Sequence, residues 1–310
     1  MALYAFDGTG NEDRGVDEHG NSLDSNVLDF FNGYSDPNRN DDPKKETGSL
    51  YLKGIGTLAR TMLGEKVAMA FGIGGHRRIR VAMERLENNF DAGDTEVDVV
   101  GFSRGAAIAV SFANRLAKRF PDMRIRFLGL WDVVGQFGAP GKQVNAGHNL
   151  GMPPNVDHSC HAMALDETRL LFPLTRLGSR TGASAAGLQE VWFRGVHSDV
   201  GGGNGNPGMN WLSLHWMYQN AVRHGLPVAA KAIDNNVRDS FDRDGTRRRQ
   251  AVSDHTLDAR LARDVFAADL LHHSVGFDPD PNGRFLNNPP HIVTLARIDD
   301  AGAIARPAGV

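Results

Sequence analysis

The stretch that decides the fold is Val97-Asp-Val-Val-Gly101-Phe-Ser103-Arg-Gly105-Ala-Ala-Ile-Ala-Val110-Ser-Phe-Ala-Asn-Arg-Leu116. Three of its first four residues are valine, which is typical of a buried β-strand. Apolar residues then recur at three- and four-residue spacing, which predicts an amphipathic helix. Between strand and helix stands Gly-x-Ser-x-Gly, the pattern of a sharp turn that projects a serine above a parallel sheet. The stretch therefore predicts an α/β protein with Ser103 as candidate nucleophile.

The same alternation of strand and helix extends along the chain. Apolar patterns predict further strands at residues 2–6, 125–131 and 191–196, amphipathic helices at 75–89 and 212–222, and short helical pieces at 27–31 and 162–171. Strands that alternate with helices imply a mainly parallel sheet with helices on both faces. We therefore expect a doubly wound α/β architecture.

Length and composition predict one domain with two irregular regions. A chain of 310 residues fits one large α/β domain with insertions. Residues 136–190 are rich in Gly, Pro and Asn, and loops this long are usually functional, so we expect a lid or substrate wall there. Residues 235–310 are first highly charged and then rich in Pro, Asn and Ala, so we expect them to be peripheral.

Two more polar residues stand at predicted strand ends and complete a possible catalytic triad. A serine hydroxyl is a poor nucleophile without a base, and the base needs an anion to hold its tautomer. Asp132 ends the strand at 125–131, and His197 follows the strand at 191–196. The chain order Ser, Asp, His is that of α/β-hydrolases, and the carboxyl ends of parallel strands meet at one edge. We therefore predict an α/β-hydrolase-like fold with the triad Ser103, Asp132 and His197.

Other residues are candidates for supporting roles. Asp199 is the rival acid, although its closeness to His197 favours local hydrogen bonds within the Gly201-Gly202-Gly203 loop. Asp7 and His273 are secondary candidates, with an outer-surface or packing role favoured for His273.

An oxyanion hole needs backbone N–H groups beside the nucleophile. The residue after the nucleophile, Arg104, should supply one N–H, and the loop after the first strand should supply another from Gly8 or Thr9. A glycine in that loop lets the backbone come close.

Composition excludes several classes of protein. Lys and Arg number 34 against 37 Asp and Glu, giving a formal charge of -3, so the basic surface of a nucleic-acid binder is missing. No apolar run is long enough to cross a bilayer, and any membrane contact is expected to be peripheral. The lone Cys160 cannot form an intramolecular disulfide. We expect neither metal nor cofactor, because His158, Cys160 and His161 have no second ligand cluster at useful spacing.

Seven blocks, together and in order, resemble the bacterial type VI lipase effector family whose nucleophile motif is GFSRG. They are Phe6-Asp-Gly-Thr-Gly10, Ser25-Asn-Val27, Gly54-Ile-Gly-Thr57, Gly101-Phe-Ser-Arg-Gly-Ala106, Gly129-Leu-Trp-Asp-Val133, His161-Ala-Met-Ala-Leu-Asp-Glu-Thr-Arg169 and Val191-Trp-Phe-Arg-Gly-Val-His-Ser-Asp-Val-Gly-Gly202. The resemblance covers about residues 4–220. It implies an α/β-hydrolase that attacks glycerophospholipid esters, is delivered into rival bacteria by a secretion machine and is neutralised in the producer by an immunity protein. Ser103, Asp132 and His197 match the triad positions of that family.

We therefore expect a serine ester hydrolase of the phospholipase A type. The start of the chain lacks a basic segment followed by a long apolar run, so we expect synthesis in the cytoplasm without a signal peptide and delivery to the periplasm of target cells. Trp192 and Phe193 could offer apolar surface at the pocket mouth, or could be buried strand residues. Two alternatives stay open: a soluble carboxylesterase or thioesterase, and a non-catalytic binding protein that retains a hydrolase fold.

Overall fold

The computed structural model describes most of the chain and organises it around one sheet. It describes residues 1–9, 11, 15–19, 21–36, 44, 46–54, 65–135, 148–178, 187–242, 244–248, 251–253, 261–276, 287 and 289–307, with side chains of the helix that begins at residue 65 described from residue 74 onward. Within these ranges the strands are β1 (Ala2–Phe6), β2 (Leu50–Leu52), β3 (Val97–Phe102), β4 (Ile125–Trp131), β5 (Val156–Ala164), β6 (Leu188–Phe193), β7 (Leu270–His272), β8 (Ala296–Ile298) and β9 (Ile304–Ala305). The α-helices are α1 (Asn26–Gly33), α2 (Glu65–Asp91), α3 (Ser103–Arg119), α4 (His197–Gly201), α5 (Pro207–Arg223) and α6 (Ala230–Asp239).

The described strands form a single sheet in the order β2-β1-β3-β4-β5-β6-β7-β8-β9. Every neighbouring pair is parallel except β8 and β9, which are antiparallel. The carboxyl ends of β1 and β3 to β6 therefore meet at one edge, and the loops that follow them are brought together there. The predicted mainly parallel α/β architecture is confirmed.

Helices cover both faces of this sheet, as the strand pattern predicted. In β1, Tyr4 and Phe6 pack in the same cluster as α2 and α3, whereas Leu3 and Ala5 pack with α1 and α5 on the opposite face. Successive residues of a strand point to opposite faces, so a strand buried on both sides reads as a continuous apolar run. This is why β1, β3 and β4 were predictable from sequence.

The predicted helical piece at 162–171 is wrong, because its first residues belong to strand β5. Cys160, Ala162 and Ala164 pack on one face of the sheet, and Met163 packs in a separate cluster with Leu165. This two-residue period is that of a strand, and the short apolar run could not be distinguished from a buried helix by composition alone.

The regions expected to be irregular contribute to the sheet. Strand β5 lies near the middle of the sheet inside residues 136–190, while residues 136–147 and 179–186 of the expected lid lie outside the described residues. Residues 235–310, which we expected to be peripheral, supply β7, β8 and β9. That expectation is corrected for these strands: they extend the sheet beyond β6, although each has only two or three residues.

Two observations bear on contact with a membrane. In the described part of the chain, no helix combines the length and the apolar character needed to cross a bilayer. Trp192 and Phe193 lie in β6, and at most 1% of the surface of either residue is exposed. They are therefore core residues and do not form an apolar surface at a pocket mouth.

Candidate active site

Ser103 lies at the junction of β3 and α3 in a strained backbone conformation. Its φ is 58°, in the left-handed region that residues other than glycine rarely adopt, and such a conformation costs about 1–3 kcal/mol. A Cβ at Gly101 would lie 2.7 Å from the Cα of Ala106, and a Cβ at Gly105 would lie 2.3 Å from the carbonyl oxygen of Phe6. The two glycines of Gly-x-Ser-x-Gly are therefore required by close backbone packing on both sides of the turn.

Asp132 and His197 form a short, buried pair at the ends of β4 and β6. The Nδ1 atom of His197 lies 2.6 Å from Oδ2 of Asp132. Asp132 is fully buried and also has a positive φ, of 42°, while its Oδ1 accepts a hydrogen bond from the backbone N–H of Ala164 at 2.8 Å. The sequence prediction that these two residues come together agrees with this geometry.

The imidazole ring of His197 is held between two aromatic rings. The ring of Phe102, the residue before Ser103, lies 4.6 Å from it, and the ring of Phe172 lies 4.7 Å from it. The backbone N–H of His197 donates to Oε2 of Glu167 at 3.1 Å. The ring is thus fixed beside Phe102, the residue before Ser103, and its Nδ1 atom pairs with Asp132.

Burial and charge set the protonation states of this pair. Burial alone raises the pKa of Asp132, but the charge of Arg263 and the hydrogen bond and charge of His197 outweigh it and hold the pKa below its ordinary value. Burial lowers the pKa of His197, and the opposing effect of Asp132 does not fully restore it. At neutral pH the pair is therefore a carboxylate and a neutral imidazole, the states that a general base requires.

The structure bears differently on the three residues predicted to form an oxyanion hole. No side chain of the described residues caps the start of α3, where Arg104 follows Ser103, and the first N–H groups of a helix have no partner within it. The N–H of Gly8 already donates to Oδ1 of Asp7 at 2.6 Å, which argues against Gly8 as an oxyanion donor. Arg104 and Thr9 remain as candidates.

Asp7 organises the loop after β1. Its carboxylate accepts hydrogen bonds from Ser25 Oγ at 2.7 Å, Tyr51 Oη at 2.6 Å and the N–H of Gly8. Burial raises the pKa of Asp7, against the opposing effect of these hydrogen bonds. Its contacts support a structural role at the edge of the site.

Asp199 binds the loop that follows His197 and does not contact the imidazole. Its Oδ2 accepts from the N–H of Val196 at 3.1 Å and from that of Ser253 at 2.9 Å, and its Oδ1 accepts from the amides of Asn204 and Asn206, both at 2.8 Å. This agrees with the expected local role of Asp199.

The described contacts of His273 do not include the triad, and its side chain is about half exposed. It contacts Oδ2 of Asp300 at 3.1 Å, and the neighbouring His272 contacts Oδ1 at 3.2 Å. These three residues form the one group in the described chain whose ligand atoms lie close enough to hold a metal ion. Hydrogen bonds account for the arrangement, because Nδ1 of His272 also pairs with Ser274 Oγ at 2.7 Å.

Sequence reasoning missed three residues around the triad. Glu167 holds the backbone of His197, and its own carboxylate is paired with Arg169. Nε2 of the buried His161 accepts the N–H of Val133, next to Asp132, at 3.2 Å. Glu167 and His161 lie in the block 161–169 quoted above, so the resemblance carried a signal for them. Arg263, which contacts Asp132, lies in a charged segment that carried none.

Comparisons with known proteins bear on the family and the fold of the chain. A family model described as "T6SS, Phospholipase effector Tle1-like, catalytic domain" matches residues 3–120 and 115–220, more than half of the chain. An uncharacterized protein from Pseudomonas aeruginosa, solved by crystallography, is 22% identical and has a TM-score of 0.54, with 75% of this chain and 47% of that chain covered. A Tle1 effector solved in complex with the VgrG spike of the type VI secretion system is 24% identical, with a TM-score of 0.44 and coverage of 65% and 50%.

The chain thus spans about half the length of these two solved proteins. No curated protein matches it. The likeness to the crystal structure supports the fold, and the family model links that fold to the catalytic domain of a group of effectors.

Proposed function

Because the chain belongs to the Tle1-like phospholipase effectors of the type VI secretion system, by its match to their catalytic domain, we propose that it is a serine hydrolase that cleaves the acyl esters of glycerophospholipids. The observation that carries this proposal is the strained Ser103 turn beside the 2.6 Å pair of His197 and Asp132. Strained backbone conformations cluster at active sites, and the proposed role of this strain is to present the Ser103 hydroxyl to the His197 base.

The proposed reaction proceeds through an acyl-enzyme. Nε2 of His197 takes the proton of Ser103 Oγ as that oxygen attacks the acyl carbonyl carbon, and Asp132 stabilises the imidazolium that forms. The N–H groups of Arg104 and Thr9 stabilise the tetrahedral oxyanion. As the C–O bond to the leaving alcohol breaks, His197 donates its proton to that oxygen. Water, deprotonated by His197, then attacks the acyl-enzyme, and the fatty acid leaves as Ser103 recovers its proton.

Two alternatives make different predictions. A carboxylesterase or thioesterase would use the same triad on soluble acyl compounds. A binding protein with a retained fold would have no activated serine, yet nothing about binding alone requires Ser103 at a φ of 58° beside a buried His–Asp pair. That pair favours a hydrolase over a binding protein, whereas the choice of a lipid ester rests on family membership.

Hydrolysis and substrate class can be tested together on the purified chain. We expect the wild type to react with a fluorophosphonate probe and to release fatty acid and lysophospholipid from vesicles of phosphatidylethanolamine and phosphatidylglycerol. Ser103→Ala should lose both activities. Ser111→Ala is the matched control, because Ser111 lies two turns along α3, where its hydroxyl contacts His148 and not the triad. Labelling without release from vesicles, but with hydrolysis of soluble esters, would favour the soluble esterase.

The place of action is the second part of the proposal. Family membership supports delivery by a secretion machine into the periplasm of target bacteria, with contact to that machine and to an immunity protein in the producer. Wild type and Ser103→Ala should be expressed in a test bacterium with and without a periplasmic signal peptide. We expect killing only by wild type with the signal, together with lysophospholipid in the membranes. Equal survival of all four strains would refute the antibacterial role.

A further inference from the structure

We propose that Arg263 is a positioning residue that holds the catalytic acid Asp132 for its partner His197, an inference that rests on the function proposed above. Nη1 of Arg263 donates to Oδ1 of Asp132 at 2.5 Å, and Nη2 donates to Oδ2 at 2.9 Å. This is a two-point pairing of a guanidinium fork with a carboxylate, the geometry that fixes the carboxylate plane most firmly. The side chain of Arg263 is only 7% exposed, and that of Asp132 is fully buried.

The guanidinium is itself held by backbone. Nη1 of Arg263 also donates to the carbonyl oxygen of Ala164 at 2.7 Å, and Nη2 donates to that of Phe172 at 2.9 Å. Ala164 ends β5, the strand between those that carry Asp132 and His197, and its N–H binds Asp132 as well. Arg263 therefore ties the acid to the end of β5 and to the loop that supplies Phe172, whose ring packs on His197.

Each oxygen of Asp132 is consequently constrained from two directions. Oδ1 accepts from Ala164 and Arg263, and Oδ2 accepts from Arg263 and faces His197. The backbone of Asp132 is in the left-handed region, a conformation that persists only when the surroundings hold it. A fixed carboxylate presents one oxygen to Nδ1 of His197 and so keeps the imidazole in the tautomer that leaves Nε2 as the base.

Arg263 also has an electrostatic effect that a purely structural residue would lack. Among the described residues, the charged groups around His197 are Asp132 after β4, Glu167 from the loop after β5 with its partner Arg169, and Arg263. The two carboxylates raise the pKa of His197, and the Arg263 cation lowers it. Removal of that cation should therefore raise the pKa of His197 and move the acid limb of the pH–activity profile to higher pH.

This role places part of the site outside the segment that defines the family. The family model matches residues up to 220, whereas Arg263 lies in the described segment 261–276, which also carries β7. The backbone carbonyl of Arg263 accepts from the side chain of Asn287 at 2.9 Å, so two distant parts of the C-terminal region meet here. The C-terminal region thus completes the triad environment as well as extending the sheet.

The experiment compares Arg263→Gln and Arg263→Lys with a matched control, Arg126→Gln. Arg126 also pairs at two points with a buried carboxylate, Asp98, through Nε at 3.0 Å and Nη2 at 2.5 Å. Arg126 and Asp98 lie on β4 and β3, away from the carboxyl ends of these strands. Thermal unfolding, kcat/KM for a soluble p-nitrophenyl ester as a function of pH, and the His197 pKa by NMR of the imidazole nitrogens are measured for each protein.

We expect Arg263→Gln to lower kcat/KM by about 10- to 100-fold, as loss of an orienting partner does. The acid limb of this variant and the NMR pKa of His197 should both move up by about half a pH unit or more, because a positive charge separated from His197 only by the Asp132 carboxylate is removed. Arg263→Lys keeps the charge but not the fork, so it should lose activity with an acid limb close to that of wild type. Arg126→Gln should lower the melting temperature without shifting the limb.

Three outcomes would overturn the proposal. These are an unchanged limb and NMR pKa in Arg263→Gln, the same pH shift in Arg126→Gln, or wild-type kcat/KM in Arg263→Lys. If Arg263→Gln does not fold, Arg263→Lys tests the proposal. A lower kcat/KM with the acid limb of the pH–activity profile at its wild-type position would support it. A wild-type protein that neither hydrolyses esters nor reacts with a fluorophosphonate would refute the proposed function itself, and the positioning role with it.

Discussion

Replacement of Gly105 by alanine tests whether two backbone segments must meet to form the oxyanion hole. The new Cβ would lie 2.3 Å from the carbonyl oxygen of Phe6 and 2.4 Å from that of Asp7, whereas real Cβ contacts are essentially never under 3.0 Å. Both neighbours are backbone atoms at the end of β1, so no side-chain rotation relieves the clash. The first turn of α3 and the loop after β1 must therefore separate by roughly 1 Å.

That separation acts on the two proposed oxyanion donors, because the N–H of Arg104 belongs to α3 and that of Thr9 to the loop after β1. A displacement of about 1 Å at a reacting centre can lower the rate by about 100-fold. The effect on stability should be smaller. Overpacking costs about 1–3 kcal/mol, and the better helix propensity of alanine returns about 1 kcal/mol, which leaves roughly 0–2 kcal/mol.

The assay is kcat/KM on a soluble p-nitrophenyl ester beside thermal unfolding, with Gly276→Ala as control. A Cβ at Gly276 would meet no atom of the described residues within 4 Å, so that variant should match the wild type in both measurements. Gly105→Ala should lose about 100-fold in kcat/KM while it still unfolds cooperatively within several degrees of the wild type. Activity of Gly105→Ala within about threefold of the wild type would show that the contact between the Ser103 turn and the end of β1 does not support catalysis.

Three further predictions concern the acids, the base and the core. Asp132→Asn should lower kcat by about 10⁴ through the wrong imidazole tautomer, whereas Asp199→Asn should chiefly lower the melting temperature; steady-state kinetics that reverse this ranking would make Asp199 the catalytic acid. His197 must be neutral to act and burial lowers its pKa, so the acid limb of kcat/KM should have its midpoint below pH 6.5, and a midpoint above that value would contradict the assignment. Trp192→Phe should destabilise the fold by about 1–3 kcal/mol, because Asp269 loses the indole N–H that it accepts at 2.9 Å, while binding to lipid vesicles stays unchanged; weaker vesicle binding by a stable variant would return Trp192 to the membrane surface.

Much of the candidate site was predictable because its signals are local. Ser103 is marked by its flanking glycines, which the close contacts of Gly101 and Gly105 require, and Asp132 and His197 each follow an apolar strand. Once the strands are taken as parallel, their carboxyl ends must share an edge, so sequence order alone predicts that the three residues converge. The local role expected for Asp199 agrees with its contacts, because its partners include near neighbours in the chain.

The amino-acid sequence by itself determined the strand–turn–helix around Ser103, the parallel sheet and the identity of the three triad candidates, since each depends on short-range pattern. It left β5 ambiguous with a helix, because a short apolar run has the same composition in either form. Only the tertiary structure decided that the N–H of Gly8 is taken by Asp7 and that Arg263 pairs with Asp132, 131 positions earlier in the chain. A contact across that separation depends on where β7 joins the sheet, and no local pattern of residues encodes that position.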